Sequence, residues 1–165
     1  MEKFANADAS VQRDIEGRLI EEFKKAHQEE FGFAADDVIK GRKVWLNEED
    51  NDYMLPDIYS EKYAIIGEIH THLGSLKPAQ KHKVAADILK MLTLEKACGK
   101  ELKKYIIVCS EKEKEQLTKG SSHLVFTIKL YKINVEYYPI SADLKNKLEE
   151  AMRKQDLYGK ETENA

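Results

Sequence analysis

Little in this sequence interrupts a chain. Three prolines and eight glycines in 165 residues leave few places for a linker. No internal repeat or low-complexity block is present, so one compact domain is expected over residues 9–156, with flexible polar ends at 1–8 and 157–165. Cysteine is equally scarce. Cys98 and Cys109 have neither metal-site spacing nor the number for a disulfide framework, which predicts reduced, buried thiols. No run of about 18 apolar residues exists, so no membrane span and no membrane partner are expected. Residues 1–14 contain no apolar stretch of the signal-peptide kind. A cytoplasmic location follows as an expectation. Charge of one sign is lacking too: 27 Lys and Arg against 30 Asp and Glu leave a net charge of -3. That excludes a uniformly basic nucleic-acid coat but not a local basic channel, because net charge is blind to distribution.

What is present is a core and a charged surface, with 42% hydrophobic and 35% charged residues. Val11, Ile15, Leu19, Ile20 and Phe23 recur at helical spacing and predict a helix over 9–30, with Gly32 as its stop and Gly17 inside it, where a close packing contact would account for a glycine. Segments 38–46, 53–59 and 63–70 read as strands, the last two joined by Ser60, Glu61 and Lys62 as a hairpin. Pro78 opens a long helix to about residue 97. Residues 105–109 (YIIVC) read as a buried central strand. A polar helix at 111–118, a helix in preference to a strand at 121–132, a strand at 135–140 and a helix capped by Ser141 complete the order. The pattern predicts an α/β fold, a three-layer α/β/α arrangement around a mixed sheet, with a parallel crossover through the long helix. The lone Trp45, between Val44 and Leu46, is expected in the core or an interface and not as a base-stacking platform.

Side chains two apart on a strand share a face, so Asp57, Ile66, Glu68 and His70 are expected on one side and Ile65, Gly67 and Ile69 on the other. Asp57 and Glu68 then become diagonal neighbours across the hairpin. Two carboxylates that close repel, unless one is protonated or a cation sits between them. Oxygen ligands of this kind suit Mg²⁺ or Mn²⁺. On the long helix Gln80, Lys83, Asp87 and Lys90 form one polar stripe that can reach the same place. Glu21, one turn after Gly17, can point there from the first helix.

These residues carry a resemblance. Pro56-Asp57 at a strand, Glu68-Ile69-His70 on the next strand and Gln80-X-X-Lys83 on the following helix resemble the PD-(D/E)XK nuclease superfamily, the restriction-endonuclease-like group that includes Holliday-junction resolvases. Gly17-X-X-X-Glu21 is similar to a motif of several members, and the likeness spans about residues 10–140. The resemblance implies a restriction-endonuclease-like αβββαβ core and metal-dependent hydrolysis of nucleic-acid phosphodiesters. DNA is then expected before RNA, with a homodimer to cut two strands. It makes Asp57, Glu68 and the Ile69 backbone carbonyl ligands of Mg²⁺ or Mn²⁺ and Glu21 an auxiliary acid, and sets Gln80 and Lys83 on the metal-bound water or the phosphate. His70 departs from the motif lysine. It can act as a base or a ligand, Lys83 or Lys77 can supply the missing cation, or the site can be inactive.

Two other readings stand beside this one. A degenerate nuclease fold can serve as a binding or assembly module without catalysis. His70-Thr71-His72 is also similar to the His-X-His of zinc-dependent JAMM isopeptidases, although His82 and Lys83 stand where that pattern requires Asp.

Overall fold

The computed structural model describes residues 2–47, 49 and 51–162, with side chains over 9–154. Among the described residues six helices and six strands follow in the order α1 (Glu2–Ala26), α2 (Gln28–Phe31), β1 (Val44–Asn47), β2 (Asp52–Met54), β3 (Ile58–Ser60), β4 (Ile65–His70), α3 (Pro78–Cys98), β5 (Lys103–Val108), α4 (Glu111–Thr118), α5 (His123–Leu130), β6 (Ile133–Tyr137) and α6 (Ala142–Thr162). Helical backbone therefore starts before residue 9 and continues past 157. Residues 1 and 163–165 of the ends expected to be flexible lie outside the described residues.

A mixed four-stranded sheet, ordered β3-β4-β5-β6, forms the centre. β3 runs antiparallel to β4, while β4, β5 and β6 are parallel. Tyr105 to Val108 of the YIIVC run belong to β5, which is paired on both sides, and this is why the run is apolar on both faces, while Cys109 lies just past the strand. Alternation along the strands feeds two cores. Ile58, Ile65, Ile69, Tyr105 and Ile107 meet Ile15, Leu19 and Phe23 of α1 and Leu144 and Leu148 of α6. Tyr59, Ile66, Ile106 and Val108 meet Val84, Ile88, Met91 and Leu94 of α3, with Leu117 and Ile128 from α4 and α5. The chain is thus a mixed α/β fold with helices packed on both sheet faces.

Several boundaries differ from the sequence reading. The helix expected over 9–30 stops at Ala26 and restarts as α2, which Gly32 terminates in the left-handed conformation, at φ 62°. A Cβ at Gly17 meets nothing within 4 Å, so no close contact explains that glycine. Segment 38–46 is no single strand: an isolated bridge joins Lys40 to Ile58, and regular pairing begins only at Val44. Segment 53–59 breaks into β2 and β3, which belong to different sheets. Pro56, which has no N–H to give a ladder, stands at the break. The β3–β4 register is Ile58 to Gly67, Tyr59 to Ile66 and Ser60 to Ile65, where the shorter loop implied Asp57 facing Ile66.

One glycine shapes the neighbourhood of Asp57. A Cβ on Gly41 would lie 1.5 Å from the carbonyl oxygen of Pro56, so only a glycine lets the two backbones approach. The Gly41 amide donates to the Asp57 carbonyl at 2.7 Å, and the Tyr59 amide to that of Ile39 at 2.8 Å.

Candidate functional site

The site lies where β3 stops pairing with β4. Asp57 precedes Ile58, whose partner is Gly67, so it stands level with Glu68. Its carboxylate Oδ2 accepts the Ile69 amide at 2.8 Å. An extended residue aims its N–H and C=O to the same side, so the Ile69 carbonyl also faces the space that β3 vacates. Glu68 is 2% exposed. Its Oε1 accepts a hydrogen bond of 2.9 Å from the ammonium of Lys90, which also reaches the Leu55 carbonyl at 3.5 Å and stands 3.5 Å from Asp87 Oδ1. Burial, reinforced by the charge of Asp57, pushes the Glu68 carboxyl up to about 8 against the opposing pull of Lys90. The two acids therefore feel each other, and a lysine from α3 partly compensates for their repulsion.

His70 does not take the place of the motif lysine. Glu68 and His70 share the face turned to α3, but the ring of His70 is held by Asp87 and Glu113, not by the acid pair. Nε2 lies 3.0 Å from Asp87 Oδ2 and Nδ1 lies 3.0 Å from Glu113 Oε1, all three side chains being buried. A protonated ring donates through both nitrogens, and two carboxylates suit that form. Burial disfavours the charged ring, yet these two hydrogen bonds outweigh it and raise the His70 pKa to about 9. Asp87 is held below its ordinary value because the hydrogen bond to His70 overcomes its burial. Glu113 Oε2 is buried without a hydrogen-bond partner among the described residues. With both ring nitrogens engaged, His70 has none left for a zinc ion. His72 sits apart, its Nε2 3.3 Å from the Ser75 carbonyl.

The remaining expected residues separate into two groups. Gln80 and Lys83 line a cleft of about 290 Å³ with His70, His72, Lys77 and Gln12. The Gln80 side chain caps α3 by accepting the Lys77 amide at 2.8 Å. Lys83 is exposed, and its charge acts on Glu16, His70 and Asp87. Glu21, by contrast, is exposed on a different side of α1 and lines a hollow with Pro139 and Ser141. The acid that α1 turns toward Asp57 is Glu16. Burial raises its pKa, then the charge of Asp57 does so, while Lys40, Lys83 and Arg13 pull the other way. The periodicity contains this signal. At about 100° per residue, Glu16 falls between Phe23 and Ile20 on the buried stripe, and Glu21 falls on the opposite side of the helix.

Asp57 and Glu68, with Glu16 near Asp57 and the Ile69 carbonyl beside them, are a purely oxygen donor set, the kind that suits a hard divalent cation. Among the described residues no three His, Cys, Asp or Glu side chains already stand in metal-ligating geometry. Lys90 occupies part of the position that a cation would neutralise. The donor chemistry therefore fits Mg²⁺ or Mn²⁺, with Lys90 as its neighbour or competitor.

Trp45 was expected in the core or an interface; its side chain is 41% exposed, on the outer face of β1. No helix among the described residues is long and apolar enough to cross a membrane. Comparison with models of protein families, with curated proteins and with solved structures finds no match to this chain.

Proposed function

We propose that this chain is a divalent-metal-dependent phosphodiesterase acting on nucleic acid, DNA before RNA, on a core of the restriction-endonuclease-like kind. The observation that carries the reading is the approach of Asp57 and Glu68 from adjacent strands, close enough for one acid to raise the other, with a lysine reaching in from α3. Mg²⁺ or Mn²⁺, held by Asp57, Glu68 and the Ile69 carbonyl, would supply charge neutralisation at a phosphate and an acidified water.

This chain's own groups take distinct parts. In this reading Lys90, 2.9 Å from Glu68, takes the part of the motif lysine from the helix instead of the strand. Its ammonium pulls against the burial that raises the Glu68 carboxyl and presents a positive charge beside Asp57. Lys83, exposed at the mouth of the cleft, is placed to attract a phosphate. Glu16 replaces Glu21 as the auxiliary acid. His70 is a positioning residue: it ties α3 to α4 through Asp87 and Glu113 and holds the stripe that presents Lys83 and Lys90.

Cleavage of DNA and RNA, single- and double-stranded, with Mg²⁺ and with Mn²⁺ tests this reading. Wild-type activity should fall by about 100-fold or more in Asp57→Asn and in Glu68→Gln, and Lys90→Met should fall further than Lys83→Met. Activity unchanged in both acid variants removes the site. A specific observation favours one other reading: Lys90 already compensates Glu68 internally, as suits a fold that binds without catalysis. No cleavage by the wild type with either cation, with retained nucleic-acid binding, selects that reading. Sedimentation analysis decides whether the chain acts as a homodimer.

A further inference from the structure

The β1–β2 hairpin contributes nothing to the acid site, yet it presents an unusual outer face. Val44, Leu46 and Met54 turn inward to the α3-side core. The alternate residues face out, with Trp45 at 41%, Tyr53 at 38% and Leu55 at 53% exposure. Trp45 and Tyr53 are direct cross-strand partners, and their ring centroids stand 5.3 Å apart at 67°. Lys43, two residues before Trp45 on the same face, sets its ammonium 4.1 Å from the Tyr53 centroid and 5.5 Å from that of Trp45. Lys40 and Arg42, both exposed, continue the basic run. Arg42 lies over the Tyr59 ring at 5.9 Å.

We propose that this face is a stacking platform for the unpaired bases of a single-stranded nucleic acid, whose backbone runs on toward Asp57. Exposed aromatic rings interleaved with cations suit a polyanion whose bases carry π faces. An apolar protein partner would instead have to bury the Lys43 ammonium. Glu49, exposed between the two strands, repels phosphates and directs a strand toward the root of the hairpin. That root leads directly to the site. Tyr53 precedes Asp57 by four residues, a chain span of at most about 13 Å. Leu55, on the outer face, gives its carbonyl to Lys90, the lysine on Glu68. Duplex bases are already stacked on one another and offer no face to Trp45 or Tyr53, so the platform discriminates by strand state. Only the direction of the strand rests on the proposed phosphodiesterase site; the stacking does not.

Trp45 is the sole tryptophan and therefore reports on this face alone. Full-length protein in EDTA, where no cation supports cleavage, is titrated with a thymidine 15-mer and with a blunt duplex of the same length. Trp45 emission should be quenched by the single strand and not by the duplex. Fluorescence anisotropy of the labelled 15-mer should show binding weakened about fivefold or more in Trp45→Ala and in Tyr53→Ala, with most of the affinity kept in Trp45→Phe. Circular dichroism checks that these exposed substitutions leave the fold intact. No quenching, equal response to duplex, or unchanged affinity in both alanine variants overturns the proposal. So does a wild-type dimer that Trp45→Ala converts to monomer, because the face is then an interface between copies. Quenching without cleavage in either Mg²⁺ or Mn²⁺ leaves the platform standing and sinks the phosphodiesterase. Cleavage without quenching does the reverse.

Discussion

Gly41 and Gly17 should respond in opposite directions to the same substitution. In Gly41→Ala the new Cβ would stand 1.5 Å from Pro56 O and 2.6 Å from Pro56 C, both backbone atoms that no rotamer change can move. Restoring ordinary contact requires the two segments to part by about 2 Å. That separation strains or breaks the Gly41–Asp57 hydrogen bond of 2.7 Å and threatens the neighbouring Tyr59–Ile39 bond of 2.8 Å. Two backbone hydrogen bonds at about 1 kcal/mol each, together with about 1–3 kcal/mol of overpacking, give a destabilisation of roughly 3–5 kcal/mol. For a domain of this size that lowers Tm by roughly 5–20 °C. In Gly17→Ala the methyl meets nothing within 4 Å and lies in a helix, so stability should rise by about 0.5–1 kcal/mol. Urea denaturation of the wild type and both variants, followed by circular dichroism, measures the pair. A Gly41→Ala variant within about 0.5 kcal/mol of wild type refutes the close approach that places Asp57, and a Gly17→Ala variant destabilised by more than that refutes the open helical position at Gly17. The movement also draws Asp57 from the Ile69 amide. Any cation-dependent activity of Gly41→Ala should therefore fall even at temperatures where the variant is fully folded.

His70→Ala leaves Asp87 and Glu113, whose side chains are 9% and 0% exposed, without their shared cation. The expected loss is about 3–5 kcal/mol by denaturation. Adding Asp87→Asn and Glu113→Gln should recover part of it, and a single variant costing under about 1 kcal/mol would refute the bridge. Phe23→Ala, which empties a fully buried site against Tyr105 and Phe33, should cost about 3–5 kcal/mol in the same assay. Burial pushes the Cys109 thiol up to about 12, so at pH 8 it stays protonated, and it is only 4% exposed. Native protein should react with a thiol reagent first at the half-buried Cys98 and at Cys109 only on unfolding. Equal rates, resolved by peptide mapping, would contradict this.

Much of the fold is visible in local pattern. Leu19 and Phe23 recur at helical spacing, YIIVC is apolar on both sides because its strand is central, and the serines at 110, 122 and 141 mark helix starts. At each of these starts the serine hydroxyl accepts a backbone amide, from Glu113, Val125 and Leu144. Residues 121–132, where helical and strand patterns overlap, are helical as α5 because Val125 and Ile128 pack inward while Phe126 stays outside. Strand limits are less visible, since pairing depends on a distant partner. Gly41 against Pro56, at the break between β2 and β3, is such a case.

The site divides along the same line. Asp57, Glu68, Lys83 and Lys90 could be picked out from their spacing, because a strand alternates and a helix repeats whatever surrounds it. Their partners could not. Only the packed structure directs His70 to Asp87 and Glu113, sets Lys90 on Glu68, and brings Glu16 toward Asp57 in place of Glu21. Periodicity states which side of an element a residue occupies. The distance between charges on different elements depends on how those elements pack, and electrostatics depends on that distance. Local pattern therefore specified the helices, the central strands and the acids available, but not where the outer strands break. The tertiary structure alone decided which acid meets which base, and that Trp45 faces outward.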